Sequence, residues 1–184
     1  MTTENKTIKK VESKPAPRER NRNNRRRGGR RNTRVRPEFD NKMISIRRVT
    51  RVVKGGRRFS FSVALVAGDK KGSVGVGLGK AGDTALAIEK ALRHAKKNMI
   101  ILKLGKTSSI PYEVSYKYAG SIVTLIPAPG KGVVAGSSVR TVLELAGLKE
   151  VGAKLFSRSK NKLNNARATI GALSGLPGTT KKRS

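Results

Sequence analysis

Six cationic side chains crowd one short stretch of this chain: Arg47, Arg48, Arg51, Lys54, Arg57 and Arg58 flank the pair Gly55-Gly56. Lysine and arginine at this density do one kind of chemistry well, neutralising closely spaced phosphates and releasing their counterions. A second stretch, Gly130-Lys131-Gly132-Val133-Val134-Ala135-Gly136-Ser137-Ser138, also suits anions. Glycines ahead of a helix start leave backbone N–H groups converging where the helix dipole favours negative charge. A third, Gly77-Leu78-Gly79-Lys80-Ala81-Gly82, fits the dinucleotide pattern G-x-G-x-x-G. It lacks the acidic residue about twenty positions on that would hold a ribose hydroxyl, since Leu102 and Lys103 stand there. The phosphate-loop pattern fails too, with Val74 in place of its first glycine and Ala81 in place of the Ser/Thr after Lys80.

Chemistry beyond charge is hard to assemble. The chain has no cysteine, and His94 is its single histidine, so disulfides, cysteine nucleophiles and a multi-histidine zinc site within the chain are excluded. A cysteine-free composition fits a reducing cytosol. His94 lies among cations, between Arg93 and Lys96, a setting for a solvated or phosphate-facing ring. The Gly-Ser-Ser loop resembles the phosphate loop of the kinases acting on galactose, homoserine and mevalonate. Phosphoryl transfer needs carboxylates for Mg²⁺ or a base, however, and beyond residue 108 the only acids are Glu113, Glu144 and Glu150. Glu144 follows Arg140 by four residues on one helix face and is expected to form an ion pair. No catalytic residue, metal or cofactor is therefore expected. Tyr112, Tyr116 and Tyr118 could stack on bases, but their shared strand parity favours packing on one face of a sheet.

The charge balance of the whole chain points the same way. Its 184 residues carry 42 Lys+Arg against 11 Asp+Glu, a net charge of +31 that calls for a polyanionic partner. Residues 1–40 hold 14 Lys+Arg and 5 acids, with ten arginines between 18 and 36 set among Asn, Gly and Pro. Such a segment cannot bury enough apolar surface to offset chain entropy, so a disordered arm that orders on RNA is expected. Residues 41–184 remain basic, with 28 Lys+Arg against 6 acids. The first residues lack an apolar signal core, and no apolar run approaches the eighteen or so residues of a membrane helix, so neither is expected.

The elements that must position these residues follow from periodicity. Residues 43–53 alternate in two registers with Arg47-Arg48 at the join, which predicts a bulged strand. Gly55-Gly56 makes a hairpin tip, and Phe59, Phe61, Val63, Leu65 and Ala67 line one face of the returning strand, with serines and small residues opposite. A third strand alternates Val74, Val76 and Leu78 with Gly75, Gly77 and Gly79; bare glycines on one face call for something close, a packed helix before a nucleic-acid backbone. The next helix is capped by Asp83 or Thr84, with Ala85, Ile88, Ala91, Leu92, Ala95 and Met99 inward and Lys90, Arg93, His94 and Lys97 as a basic ridge. A short strand over 100–104 and a linker over 105–109 follow.

The second half mixes the same elements: paired strands over 112–118 and 121–126 turned at Ala119-Gly120, then the Gly-rich loop. A helix capped by Ser137 or Ser138 turns Val139, Val142, Leu143 and Ala146 inward and stops at Gly147. A strand over 151–157 and a helix over 161–173 complete it, with Leu163, Ala166, Ile170 and Leu173 inward and Gly175 as the stop. Two small sheets carrying helices make the chain α+β. The boundaries read as an arm over 1–40, domains over 41–108 and 109–176, and a short basic tail over 177–184.

These residues, taken in order, carry a resemblance. Arg51-Val52-Val53-Lys54-Gly55-Gly56-Arg57-Arg58-Phe59-Ser60-Phe61, Val74-Gly75-Val76-Gly77-Leu78-Gly79-Lys80-Ala81 and Ala95-Lys96-Lys97-Asn98-Met99 resemble the family of bacterial small-subunit ribosomal protein five. So do Pro127-Ala128 with the Gly-rich loop, Val139-Arg140-Thr141-Val142-Leu143-Glu144-Leu145-Ala146-Gly147, and Asn165-Ala166-Arg167-Ala168-Thr169, so that residues 43–176 are covered. The resemblance implies a double-stranded-RNA-binding-like domain followed by a β-α-β-α domain, in a superfamily shared with the metabolite kinases. It implies a ribosome-bound, cytoplasmic protein at the back of the small subunit that supports the junction of head and body on 16S rRNA. It places Lys54, Gly55, Gly56 and Arg57 against head rRNA, with the first three beside the spectinomycin site. It turns Gly132 and Arg140 toward ribosomal protein four at an interface tied to translational accuracy. Ribosomal protein eight is a further neighbour, and with proteins three and four the family lines the channel by which mRNA enters. The loop before Gly132 is one residue shorter than the commonest form. The RNA-binding set expected from charge and resemblance together is Arg47, Arg48, Arg51, Lys54, Gly55, Gly56, Arg57, Arg58, Lys80, Lys90, Arg93, Lys97, Lys131, Arg158 and Lys160. The rival readings are a free-standing RNA chaperone and a metabolite kinase.

Overall fold

The computed structural model describes residues 38–105 and 107–181. The arm expected over 1–40 lies, as far as residue 37, outside them. Three long strands open the chain as an antiparallel meander: β1 Asp40–Val53, β2 Gly56–Gly68 and β3 Ser73–Ala81. The β2–β3 turn is tied by Asp69, whose Oδ1 accepts from the N–H of Lys71 at 2.7 Å and of Ser73 at 2.9 Å. The single register shift in β1 falls between Met43 and Ser45, not at Arg47-Arg48. The physical reason is burial: Ile44 is turned into the core by the bulge, whereas both arginines are solvated and need no change of face.

Helix α1, Thr84–Lys97, starts at Asp83 and lies across β2 and β3. Its buried row is Ala87, Ala91 and Ala95, with Ile88 and Leu92 partly buried beside it and Met99 just past its end; the expected stripe is present except at its start, where Ala87 is buried and Ala85 is exposed. The small side chains meet the glycines of β3. A Cβ built on Gly75, Gly77 or Gly79 would fall on the carbonyl oxygen of Ala95, Ala91 or Ala87 respectively. The glycine face is thus explained by a helix, with backbone pressed on backbone.

The remaining elements are β4 Ile100–Ile101, β5 Val114–Tyr118, β6 Ser121–Pro127, β7 Val133–Val134, α2 Ser137–Ala146, β8 Val151–Leu155, α3 Lys162–Ser174 and β9 Thr180–Lys181. The first sheet runs β1-β2-β3-β4-β9 and the second β5-β6-β8-β7, all antiparallel except β7 with β8. The strand expected over 100–104 is only two residues long, and the chain comes back at 180–181 to pair with it. Helices α2 and α3 pack on both sheets, so the layers run α1, first sheet, α2 with α3, second sheet.

That layering covers both faces of β2, whose residues from Val63 to Gly68 are all buried. Val66, Val74 and Val76 share a cluster with Val123, Val142, Leu143 and Leu173, so one core spans both halves of the chain. The docking point is the end of α2. Lys70 N–H donates to Leu145 O at 2.9 Å, Lys70 Nζ pairs with Asp40 at 2.7 Å, and Gly147 closes the helix at φ +86°. Leu148 N–H returns to Leu143 O and Gly147 N–H to Glu144 O, the paired bonds of a left-handed helix stop.

The start of α2 differs from expectation, while α3 stops at Gly175 as expected. Gly136, not Ser137 or Ser138, caps α2; Ser138 is buried, and a capping serine would have to stay outside the helix. Gly175 ends α3 in right-handed geometry, because the chain continues as a tight turn with Leu176 N–H donating to Leu173 O. Asn161 caps α3 itself, its side chain accepting from Leu163 N–H at 3.2 Å.

Candidate nucleic-acid interface

Beyond residue 50 the β1–β2 hairpin leaves the core and is exposed on both faces, with Val52 75 % and Phe59 50 % accessible. Register sorts its cations. Arg51 stands directly opposite Arg58, and Arg47 opposite Ser62, which is itself opposite Lys80 on β3. Arg47, Arg51, Arg58 and Lys80 therefore share one face. Arg48 and Arg57 lie on the other face, where the guanidinium of Arg48 sits 4.6 Å from the centre of the Phe59 ring. Lys54 and Gly55 form the turn, and Gly56 begins β2 at φ +134°. Among the described residues no carboxylate pairs with any of these six hairpin cations.

The other expected residues fall on separate elements. Lys90, Arg93 and Lys97 are exposed on α1, on the opposite side of the sheet from Arg51 and Arg58, and Arg93 is paired with Glu89. Lys131 is exposed in the Gly-rich loop, and Arg158 and Lys160 in the loop between β8 and α3, beside the exposed Phe156. Spacing did not single out Lys117 and Lys154, which are also exposed on the second sheet. Strand parity opposite to Tyr116 and Tyr118 is the signal that marks Lys117.

Gly130 and Gly132 both have positive φ, +74° and +70°, and nothing lies within 4 Å of where their Cβ atoms would be. Next to this loop, Arg140 Nε donates to Glu144 Oε1 at 2.7 Å, the ion pair their spacing predicts. That bond holds the Glu144 carboxyl below the usual carboxylate range; burial pushes the other way more weakly, and Lys42 Nζ, 3.7 Å off, adds to the lowering. A carboxylate lowered in the folded state stabilises the fold above its unfolded value, roughly 4.3, and that contribution is lost as pH falls through the lowered value. Glu144→Gln should therefore reduce stability at pH 7 by a few tenths of a kcal/mol, as for a screened surface pair. Urea unfolding should show the gap from the parent chain closing as pH falls through the lowered value, below which both side chains are neutral.

His94 does not face free solvent alone. Its Nδ1 accepts from Leu78 N–H at 3.3 Å, and Asn98 Nδ2 lies 3.2 Å from its Nε2. No group of three or more potential metal ligands occurs among the described residues, and none of the helices is long and apolar enough to cross a membrane.

An uncompensated basic hairpin on an α+β scaffold is the footprint of a nucleic-acid-binding protein. Residues 39–103 match the family described as Ribosomal protein S5, N-terminal domain, and residues 116–180 match Ribosomal protein S5, C-terminal domain. The chain belongs to the ribosomal protein S5 family. It is 51 % identical over 139 residues to small ribosomal subunit protein uS5 of Crocosphaera subtropica, covering 75 % of this chain and 80 % of that one. It is 48 % identical over 140 residues to uS5 of Treponema pallidum, covering 76 % and 80 %. Small ribosomal subunit protein uS5c of Emiliania huxleyi is 46 % identical over 142 residues, covering 77 % and 89 %.

Proposed function

We propose that this chain is a structural, non-catalytic constituent of the small ribosomal subunit, seated on 16S rRNA. The observation that carries the reading is the Arg51–Arg58 pair, two like charges directly opposite on a hairpin where no carboxylate among the described residues answers them. Like charges across a strand pair destabilise the free protein, and a polyanion laid on that face reverses the sign. The tip, Lys54 to Gly56, reaches head rRNA in the neighbourhood of the spectinomycin site. The cations of α1, Lys131, Arg158 and Lys160 supply further phosphate contacts, as does the arm over 1–40 that precedes the domains over 41–108 and 109–176.

The second half faces protein. Gly132, with an open loop backbone, and the exposed Arg140 on α2 are the groups offered to ribosomal protein four, and through that interface the chain acts on translational accuracy. Ribosomal protein eight is its other neighbour. The shared core of the two halves supports a rigid brace between head and body and one wall of the channel by which mRNA enters. The protein works ribosome-bound in the cytoplasm. Purifying ribosomes at moderate salt tests the reading: the chain should co-sediment with the small subunit, and its absence from that fraction would end the proposal.

A further inference from the structure

A groove of about 930 Å³ runs between the end of α1, strand β5 and helix α3, apart from the hairpin. Its size falls within the range of about 300–1,000 Å³ of sites that enclose a small ligand. Its charge is one-sided. Lys97, Arg167 and Lys181 line it, no acidic residue does, and among the described residues none of the three cations has a carboxylate partner.

The walls are flat. Tyr116 lies with its ring on the backbone of Gly171, where a Cβ would come within 2.6 Å of the ring carbon Cζ, and the residue stays 42 % exposed. Arg167 Nη1 donates to Tyr118 Oη at 3.0 Å, with its guanidinium carbon 5.7 Å from the centre of that ring. On the facing element, the bond from Leu78 N–H to Nδ1 orients the His94 ring.

We propose that this groove is a binding site for an unpaired nucleotide of single-stranded RNA, its base stacked on Tyr116 and its flanking phosphates held by Lys97 and Lys181. Aromatic platforms beside unpaired cations are the recurring means of holding single-stranded nucleic acid. A duplex keeps its bases in its own stack and offers none to a recess, so the groove and the hairpin take different forms of the same polymer. The inference rests on the rRNA-binding reading above but concerns a separate surface.

The test uses the full chain and a pentauridine carrying one 4-thiouridine. Photocrosslinks should map to the peptides holding Tyr116 and Tyr118 or His94 to Asn98. In a Lys97→Ala, Lys181→Ala variant, whose changes are at exposed side chains, the yield of that crosslink should fall about tenfold. Its dependence on log salt should flatten by about 1.4, at 0.7 per single-strand phosphate contact. Crosslinks confined to residues 47–58 or 1–36, or a groove crosslink unchanged in the variant, would overturn the proposal. Binding of a duplex rRNA fragment to the unsubstituted chain separates the two readings: if the duplex binds while no groove crosslink forms, only the groove assignment fails.

Discussion

Replacing Gly77 by valine should cost about 3 kcal/mol of stability, the upper end of the usual overpacking range, and should lower the urea midpoint without changing the slope of the transition. The first added carbon already meets the carbonyl oxygen of Ala91 and comes within 2.6 Å of Ala95 N and 2.8 Å of its Cβ. Two of those three atoms are helix backbone, so no rotamer change relieves the contact and α1 must lift. Lifting it uncovers Ala87, Ala91 and Ala95 together with Leu65 and Ala67 beneath. The companion substitution Gly55→Ala meets nothing within 4 Å and should leave stability within about 0.5 kcal/mol. Equal effects at the two positions would show that the helix does not press on β3 as described.

Removing the hairpin charge should act on binding with almost no cost to the fold. Substituting Lys54, Arg57 and Arg58 by alanine should flatten the log-salt dependence of duplex rRNA binding by about 2.7, at 0.9 per lost phosphate contact. Arg58→Ala alone should raise the stability of the free protein by a few tenths of a kcal/mol, because Arg51 then loses a like charge directly opposite. The same variant should bind rRNA more weakly. That opposition of signs is the useful signature: a hairpin charged only for solubility would gain stability and lose no affinity. Filter-binding across a salt series, with urea unfolding on the same preparations, reads both quantities.

The parts of the fold legible in the sequence were those with local causes. Gly75, Gly77 and Gly79 could be read as a close-approach face because a strand gives up side chains at such regular spacing only for a neighbour that needs the room. The stripe of α2, its stop at Gly147 and the Arg140–Glu144 pair follow from helical spacing alone, and all three are present. The hairpin was legible for the same reason, since Gly55-Gly56 and its flanking cations lie within twelve residues.

What escaped the sequence depends on contacts distant along the chain. Parity says that Val66 and Val76 share a face; it does not say that α2 and α3 cover it. The strand β9 has two residues, too few for any period to show, and exists because β4 supplies its partner. The bulge at Ile44 answers to a core built from the second half of the chain. Tyr116 packs on one face of its sheet, as its parity implied, but the glycine that lets its ring lie flat belongs to α3.

Composition by itself determined that this protein needs a polyanion: 42 basic residues against 11 acidic ones leave a surplus that no internal pairing can neutralise. Local pattern determined which short segments carry the surplus. Only the tertiary structure decided how it is presented. Strand register set Arg51 against Arg58, packing placed α1 on the other side of that sheet, and the return of the chain built a basic groove from residues as far apart as Val76 and Lys181. Charge is a sum over residues and can be read from a list. A binding face is a set of distances, and those are fixed by which apolar surfaces bury one another.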